Sequence, residues 1–127
     1  MPASPELIAH ARDLFAGLGA IGTGGMFGGT ALYVEEDVMF ATILNDTIWM
    51  KCDAQTAPHF LEAGAEFFTY QRANGMREVK SMISLPEAGM DDPDEAIIWA
   101  NLALAPAREA ARKKRAQKAR KAAKKAK

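Results

Sequence analysis

Cysteine is almost missing from this chain. Cys52 stands alone, which excludes an intrachain disulfide and suits a reducing compartment. Histidine is nearly as scarce: His10 and His59 are the only two, and with one cysteine they offer no paired spacing for zinc. No stretch reaches the roughly 18 consecutive apolar residues of a membrane span. The opening MPASPELIAHARDLF lacks the basic region and apolar run of a signal peptide. A cytoplasmic protein without membrane contact, metal or cofactor is the expectation.

Acidic residues are nearly missing from the last twenty positions. Arg108 to Lys127 hold eleven of the sixteen basic residues and one acid, Glu109, a surplus of ten positive charges. The first 107 residues hold five basic and fifteen acidic residues, a deficit of ten, so the formal net charge of zero conceals two opposite parts. Such asymmetry reads as one globular domain over residues 1–105 and a Lys/Ala-rich tail over 106–127, flexible or an extended helix. A dense cationic segment attracts polyanions by releasing their condensed counterions. The candidate nucleic-acid contacts are Arg108, Arg112, Lys113, Lys114, Arg115, Lys118, Arg120, Lys121, Lys124, Lys125 and Lys127. A merely solubilising tail, or one folded back on the acidic body, is the competing reading. Alanines are its only apolar residues, so it has no face to insert into a membrane.

The body reads as α+β. Ser4 caps a first helix with Pro5 at its first position, and Leu7, Ala11, Leu14, Phe15 and Leu18 recur at helical spacing. A glycine-rich loop, Gly22 to Gly29, follows. Strands are expected at Thr30–Val34, Val38–Leu44 and Thr47–Lys51, with turns at Glu35-Glu36-Asp37 and Asn45-Asp46. A short helix over Thr56–Ala63 comes next, capped by Asp53 or Thr56. The strands Glu66–Tyr70 and Met76–Ser84 form a second hairpin, whose Asn74-Gly75 pair favours a type I′ turn. Pro86 and Gly89 break the chain, and Asp91 or Asp92 opens a last helix at Pro93. Its Ile97, Ile98, Trp99, Leu102 and Leu104 surround it with apolar groups, which implies deep burial, and Pro106 should kink or end it. The order α-β-β-β-α-β-β-α predicts a four- or five-stranded antiparallel sheet with the first and last helices on one face. Val38–Leu44, which lacks polar alternation, should lie inside it.

Chemistry is hard to find. The glycine loop has no Lys-Ser or Lys-Thr after it, and it follows a helix instead of a strand, so neither a P-loop nor a dinucleotide fingerprint fits. A turn with Met26 and Phe27 plugging the core is the simpler reading. Cys52, Asp53 and His59 could form a nucleophile cluster only if folding brought them together. Asp91, Asp92, Asp94 and Glu95 read as an acid-rich helix start. Trp49, Phe67, Phe68, Tyr70 and Trp99 are assigned to the core, because an acidic body repels the phosphates that a stacking platform would need.

The combined order of Met26-Phe27-Gly28-Gly29, Leu32-Tyr33, Met39-Phe40-Ala41, Ile48-Trp49-Met50-Lys51, Phe67, Thr69-Tyr70, Leu85-Pro86 and Trp99 resembles the N-terminal domain of the TfoX/Sxy family of competence regulators. The resemblance covers nearly all of residues 5–105. It implies a two-layer α+β unit similar to secretion-chaperone folds, with Met26, Phe27, Gly28 and Gly29 as a structural motif. It also implies regulation or partner binding, not catalysis; a protein partner and, through the tail, nucleic acid are the candidate partners. Full-length regulators of that family carry a second domain where this chain has its basic segment. Two function classes stand: a non-enzymatic regulatory or adaptor domain whose tail binds nucleic acid, and a small-ligand-binding protein or enzyme using Gly22–Gly29.

Overall fold

A computed structural model describes residues 4–26 and 28–125, with the side chains of Met26 and Lys125 left undescribed. Phe27, assigned above to a plug in the core, and Lys127 lie outside the described residues, and so does the side chain of Met26.

Helix α1 spans Pro5–Leu14, and its cap is the expected one: Ser4 Oγ accepts from the Leu7 amide at 3.2 Å. A 3-10 turn at Ala16–Leu18 leads to Gly19, whose φ of 108° reverses the chain. Six strands follow: β1 Gly22–Met26, β2 Gly29–Val34, β3 Val38–Leu44, β4 Thr47–Lys51, β5 Phe67–Arg72 and β6 Gly75–Ser84. They form one antiparallel sheet in the order β1-β2-β3-β4-β6-β5. Helix α2, Ala57–Glu62, lies between β4 and β5; α3, Glu87–Met90, and α4, Pro93–Lys125, close the chain. The architecture is α+β, and β3 is internal as expected.

The sheet has one more strand than expected, because the glycine-rich stretch is not a loop. Residues 22–26 pair with β2, Gly22 opposite Tyr33 and Met26 opposite Gly29. Glycine carries almost no strand signal, so pairing alone reveals the edge strand. Its hairpin needs two of the glycines for different reasons. Gly28 takes φ of 80°, which side chains disfavour. Gly29 has no room for a Cβ, which would stand 2.3 Å from the Ile43 carbonyl oxygen. In the second hairpin Gly75 has positive φ but Asn74 does not, so Asn74-Gly75 is not a type I′ turn. The two-residue Asn45-Asp46 turn does have positive φ at both positions.

Cross-strand partners share a face, so Ile43 opposite Ile48 and Ala41 opposite Met50 define the inner one. Leu32 faces Ala41 while Tyr33 faces Met39, which leaves Phe40 as an extra residue in β3. That bulge turns Phe40 inward, where it meets Phe15 edge-on at 5.1 Å between ring centres. Helices α1, α2 and α4 pack on this inner face, and their buried residues join its core.

Helix α4 corrects two expectations. Its buried side is an alanine stripe, Ala96, Ala100, Ala103, Ala107 and Ala111, all 5% exposed or less. Of the larger residues only Leu104 is buried with it; Ile98 is 54% exposed, and Ile97, Trp99 and Leu102 are half-buried. Methyl-sized side chains let the helix axis approach the sheet, so small residues win the central line and bulky ones fill the sides. The helix also does not end at Pro106, which sits buried inside it. Proline forfeits one hydrogen bond and strains one turn, but burial of Ala107 and Ala111 beyond it holds the helix against the sheet.

Candidate nucleic-acid interface

The basic segment is therefore the second half of α4. Asp92 opens the helix, its Oδ1 accepting from the Asp94 amide at 3.0 Å, and the acids Asp94 and Glu95 occupy the positive end. The alanine stripe fixes the rotation of the helix through Ala111. The residues after it continue in register, so their directions are set by packing that lies up to four turns earlier.

Three of the segment's four arginines are spent on carboxylates. Arg108 holds Glu35 with its Nε and Nη2, the latter at 2.6 Å. Arg115 holds Asp37, Nε to Oδ2 at 2.7 Å. Arg112 pairs with Glu109 one turn back. The first two contacts reach the turn between β2 and β3, where Glu35 and Glu36 take positive φ. Each arginine lowers the pKa of its acid, chiefly through the hydrogen bond to the carboxylate, at Glu35, Asp37 and Glu109 alike. Arg120, Lys113, Lys114, Lys118, Lys121 and Lys124 make no ion pair among the described residues. Lys125 lies in the last turn of the helix.

Lys114, Lys118 and Lys121 recur at spacings of four and three and line one cleft of about 400 Å³ with Tyr33, Asp37, Arg115 and Gln117. The structure thus brings part of the predicted cationic set to one face, uses Arg108, Arg112 and Arg115 as internal ties, and leaves the remainder on exposed helix. The tie to Glu35 and Asp37 is the folded-back contact that competed with the nucleic-acid reading. It neutralises two cations of the segment and spares the lysines.

Aromatic placement also departs from expectation. Phe67 and Trp99 pack against the core, but Trp49, Phe68 and Tyr70 lie on the opposite, outer face of the sheet. Trp49 meets Phe68 edge-on at 5.1 Å, Phe68 stacks along Tyr70 at 6.3 Å, and the Arg72 guanidinium lies 6.0 Å from the Tyr70 ring centre. Period-two alternation along FFTYQR could have separated Phe67 from Phe68, Tyr70 and Arg72. Which set faces solvent depends on the pairing with β6.

The remaining candidates do not assemble. Cys52 is buried, donates to the Lys80 carbonyl at 3.2 Å, and its pKa is pushed up to about 11 by burial and by Asp53. Asp53 accepts from the amides of Gln55 and Thr56 and from the Thr56 hydroxyl, which lowers its pKa and starts the chain toward α2. His59 is exposed, and His10 Nε2 bonds the Met90 carbonyl. Among the described residues no three His, Cys, Asp or Glu side chains converge as a metal would require, and no helix is long and apolar enough to cross a membrane. Residues 22–26 of the glycine stretch form an edge strand paired on one side with β2, not a loop opening a helix as a phosphate-binding loop does.

The TfoX N-terminal domain model matches residues 13–107. The match ends one residue before Arg108, so it takes in the sheet, α2, α3 and α4 through Ala107, but not most of α1 or the cationic half of α4. No curated protein matches the chain.

Proposed function

Because the chain belongs to the TfoX N-terminal domain family, we propose that it is a non-enzymatic regulatory or adaptor domain whose α4 holds nucleic acid by its phosphates. Membership supports a regulatory or adaptor role in general. The nucleic-acid reading rests on one observation: after three arginines are tied to carboxylates, Arg120 and five described lysines remain unpaired on exposed helix. Lysine and arginine contacts of this kind position a protein on the phosphate backbone without reading bases. The body carries ten negative charges in excess, and the ties to Glu35 and Asp37 take up two of them at the helix.

The experiment is retention on duplex DNA of the full chain and of a variant with Lys118, Arg120, Lys121, Lys124 and Lys125 all changed to Gln. These positions lie beyond the alanine stripe, so the fold is preserved while the charge goes. Loss of retention in the variant supports the reading, and equal retention rejects it.

A further inference from the structure

We propose that the outer face of the sheet is a binding surface for single-stranded nucleic acid, with bases stacked on Phe68 and Tyr70 and phosphates held by Arg72, Arg77 and Lys51. Register places these groups together. Tyr70 is opposite Arg77 and Phe68 opposite Val79, while Lys51 is opposite Met82 one strand further in. Beside the rings runs a groove of about 640 Å³ with Met39, Leu44, Val79 and Met82 in its walls and Lys51 among its polar lining.

Charge decides the occupant. The body's acids made a phosphate ligand look unfavourable from the sequence, but they are segregated. Glu78 pairs with Thr69 and so points to the other face from Tyr70 and Arg77. The others lie on helices, in turns or in loops, such as Glu35 to Asp37, Asp46, and Asp91 to Glu95. No strand position sharing the face of Trp49 and Tyr70 is acidic, whereas Arg72, Arg77 and Lys51 are there. Lys51 makes no ion pair among the described residues. Burial lowers its pKa, and the charge of Lys114 lowers it further. An apolar peptide or small apolar molecule would use the groove walls but gives three cations nothing to neutralise. Duplex DNA supplies phosphates but hides its base faces in its own stack. Single strands offer both, and aromatic rings beside cations are how such strands are held without sequence preference.

This rests on and deepens the nucleic-acid reading above, adding a single-strand site to the one proposed on α4, yet the two separate by experiment. Fluorescence anisotropy would compare oligothymidylate of about a dozen nucleotides, within the site size of a small domain, with a duplex of the same length. Tyr70→Ala should weaken the single strand about tenfold, the loss of one stacked base, and leave the duplex unchanged. Tyr70 is 39% exposed at the distal part of its hairpin, so this variant folds. Arg77→Gln should reduce the salt dependence of single-strand binding by about one phosphate contact. Single-strand affinity equal to the parent's in both variants would overturn the proposal, as would duplex binding without single-strand binding by the parent. In that last case the helix would still hold nucleic acid. If the five-Gln variant loses the duplex but keeps Tyr70-dependent single-strand binding, the sheet face is the single-strand site and the helix the duplex site.

Discussion

Arg115 grips Asp37 at 2.7 Å across 78 residues of sequence, tying the cationic helix to the β2–β3 turn. With Arg108 on Glu35 it makes a two-point fastening, and both pairs are half exposed. Exposed pairs of this kind add little stability, so their consequence lies in where charge is available. The variant Glu35→Gln, Asp37→Asn should melt close to the parent and bind duplex DNA more tightly, with a salt slope steeper by about two contacts. Weaker binding than the parent would show that the ties position the helix for its ligand.

The same ties set a pH dependence. The pKa values of Glu35 and Asp37 are held below their ordinary 4.5 and 3.8 by the arginines. A lowered folded pKa means that the stabilisation is complete above the unfolded value and lost as pH falls through the folded one. The ties are therefore intact at neutral pH and open only on acidification below about 4. Carboxyl titration by NMR should give midpoints beneath the ordinary values, rising toward them in Arg108→Gln, Arg115→Gln.

The glycines of the first hairpin should differ sharply. Gly29→Ala drives a Cβ into the Ile43 carbonyl and should be the most destabilising. Gly28→Ala, in open space but at positive φ, should cost at least about 1 kcal/mol. Gly25→Ala has open space and ordinary φ and should melt like the parent. Thermal denaturation of the three checks the order.

On α4, Ala103→Leu should destabilise by about 1–3 kcal/mol, since nothing beside a fully buried methyl can yield space cheaply. Ile98→Ser should stay within about 0.5 kcal/mol despite its larger chemical change, because Ile98 is 54% exposed. Denaturant midpoints that reversed this order would place the wrong face on the sheet.

Much of the fold was legible because caps and alternation are local. Ser4-Pro5, Asp92-Pro93 and the buried run of β3 announce themselves within a few residues. What was illegible depends on partners distant in sequence. GTGGM becomes a strand only against β2, and Phe40 turns inward only because β3 carries one residue more than its neighbour. The last helix misled because most of its bulky residues, Leu104 excepted, are not its buried ones, and because packing of Ala107 and Ala111 carries the helix through Pro106. For the candidate site, the cationic positions were evident from charge alone. Their partial neutralisation by Glu35 and Asp37 was not, and neither was the separation of acids from the outer face, since both are properties of register.

Duplex affinity measured against salt tests the central claim most directly. Six described cations of α4, Lys113, Lys114, Lys118, Arg120, Lys121 and Lys124, are unpaired. If they neutralise about six phosphates, affinity should fall roughly a thousandfold between 50 and 200 mM salt, with little regard to DNA sequence. The five-Gln variant should lose most of both the affinity and the slope. A full chain that binds duplex DNA no better than that variant at 50 mM salt, or whose affinity is flat over this range, would contradict it.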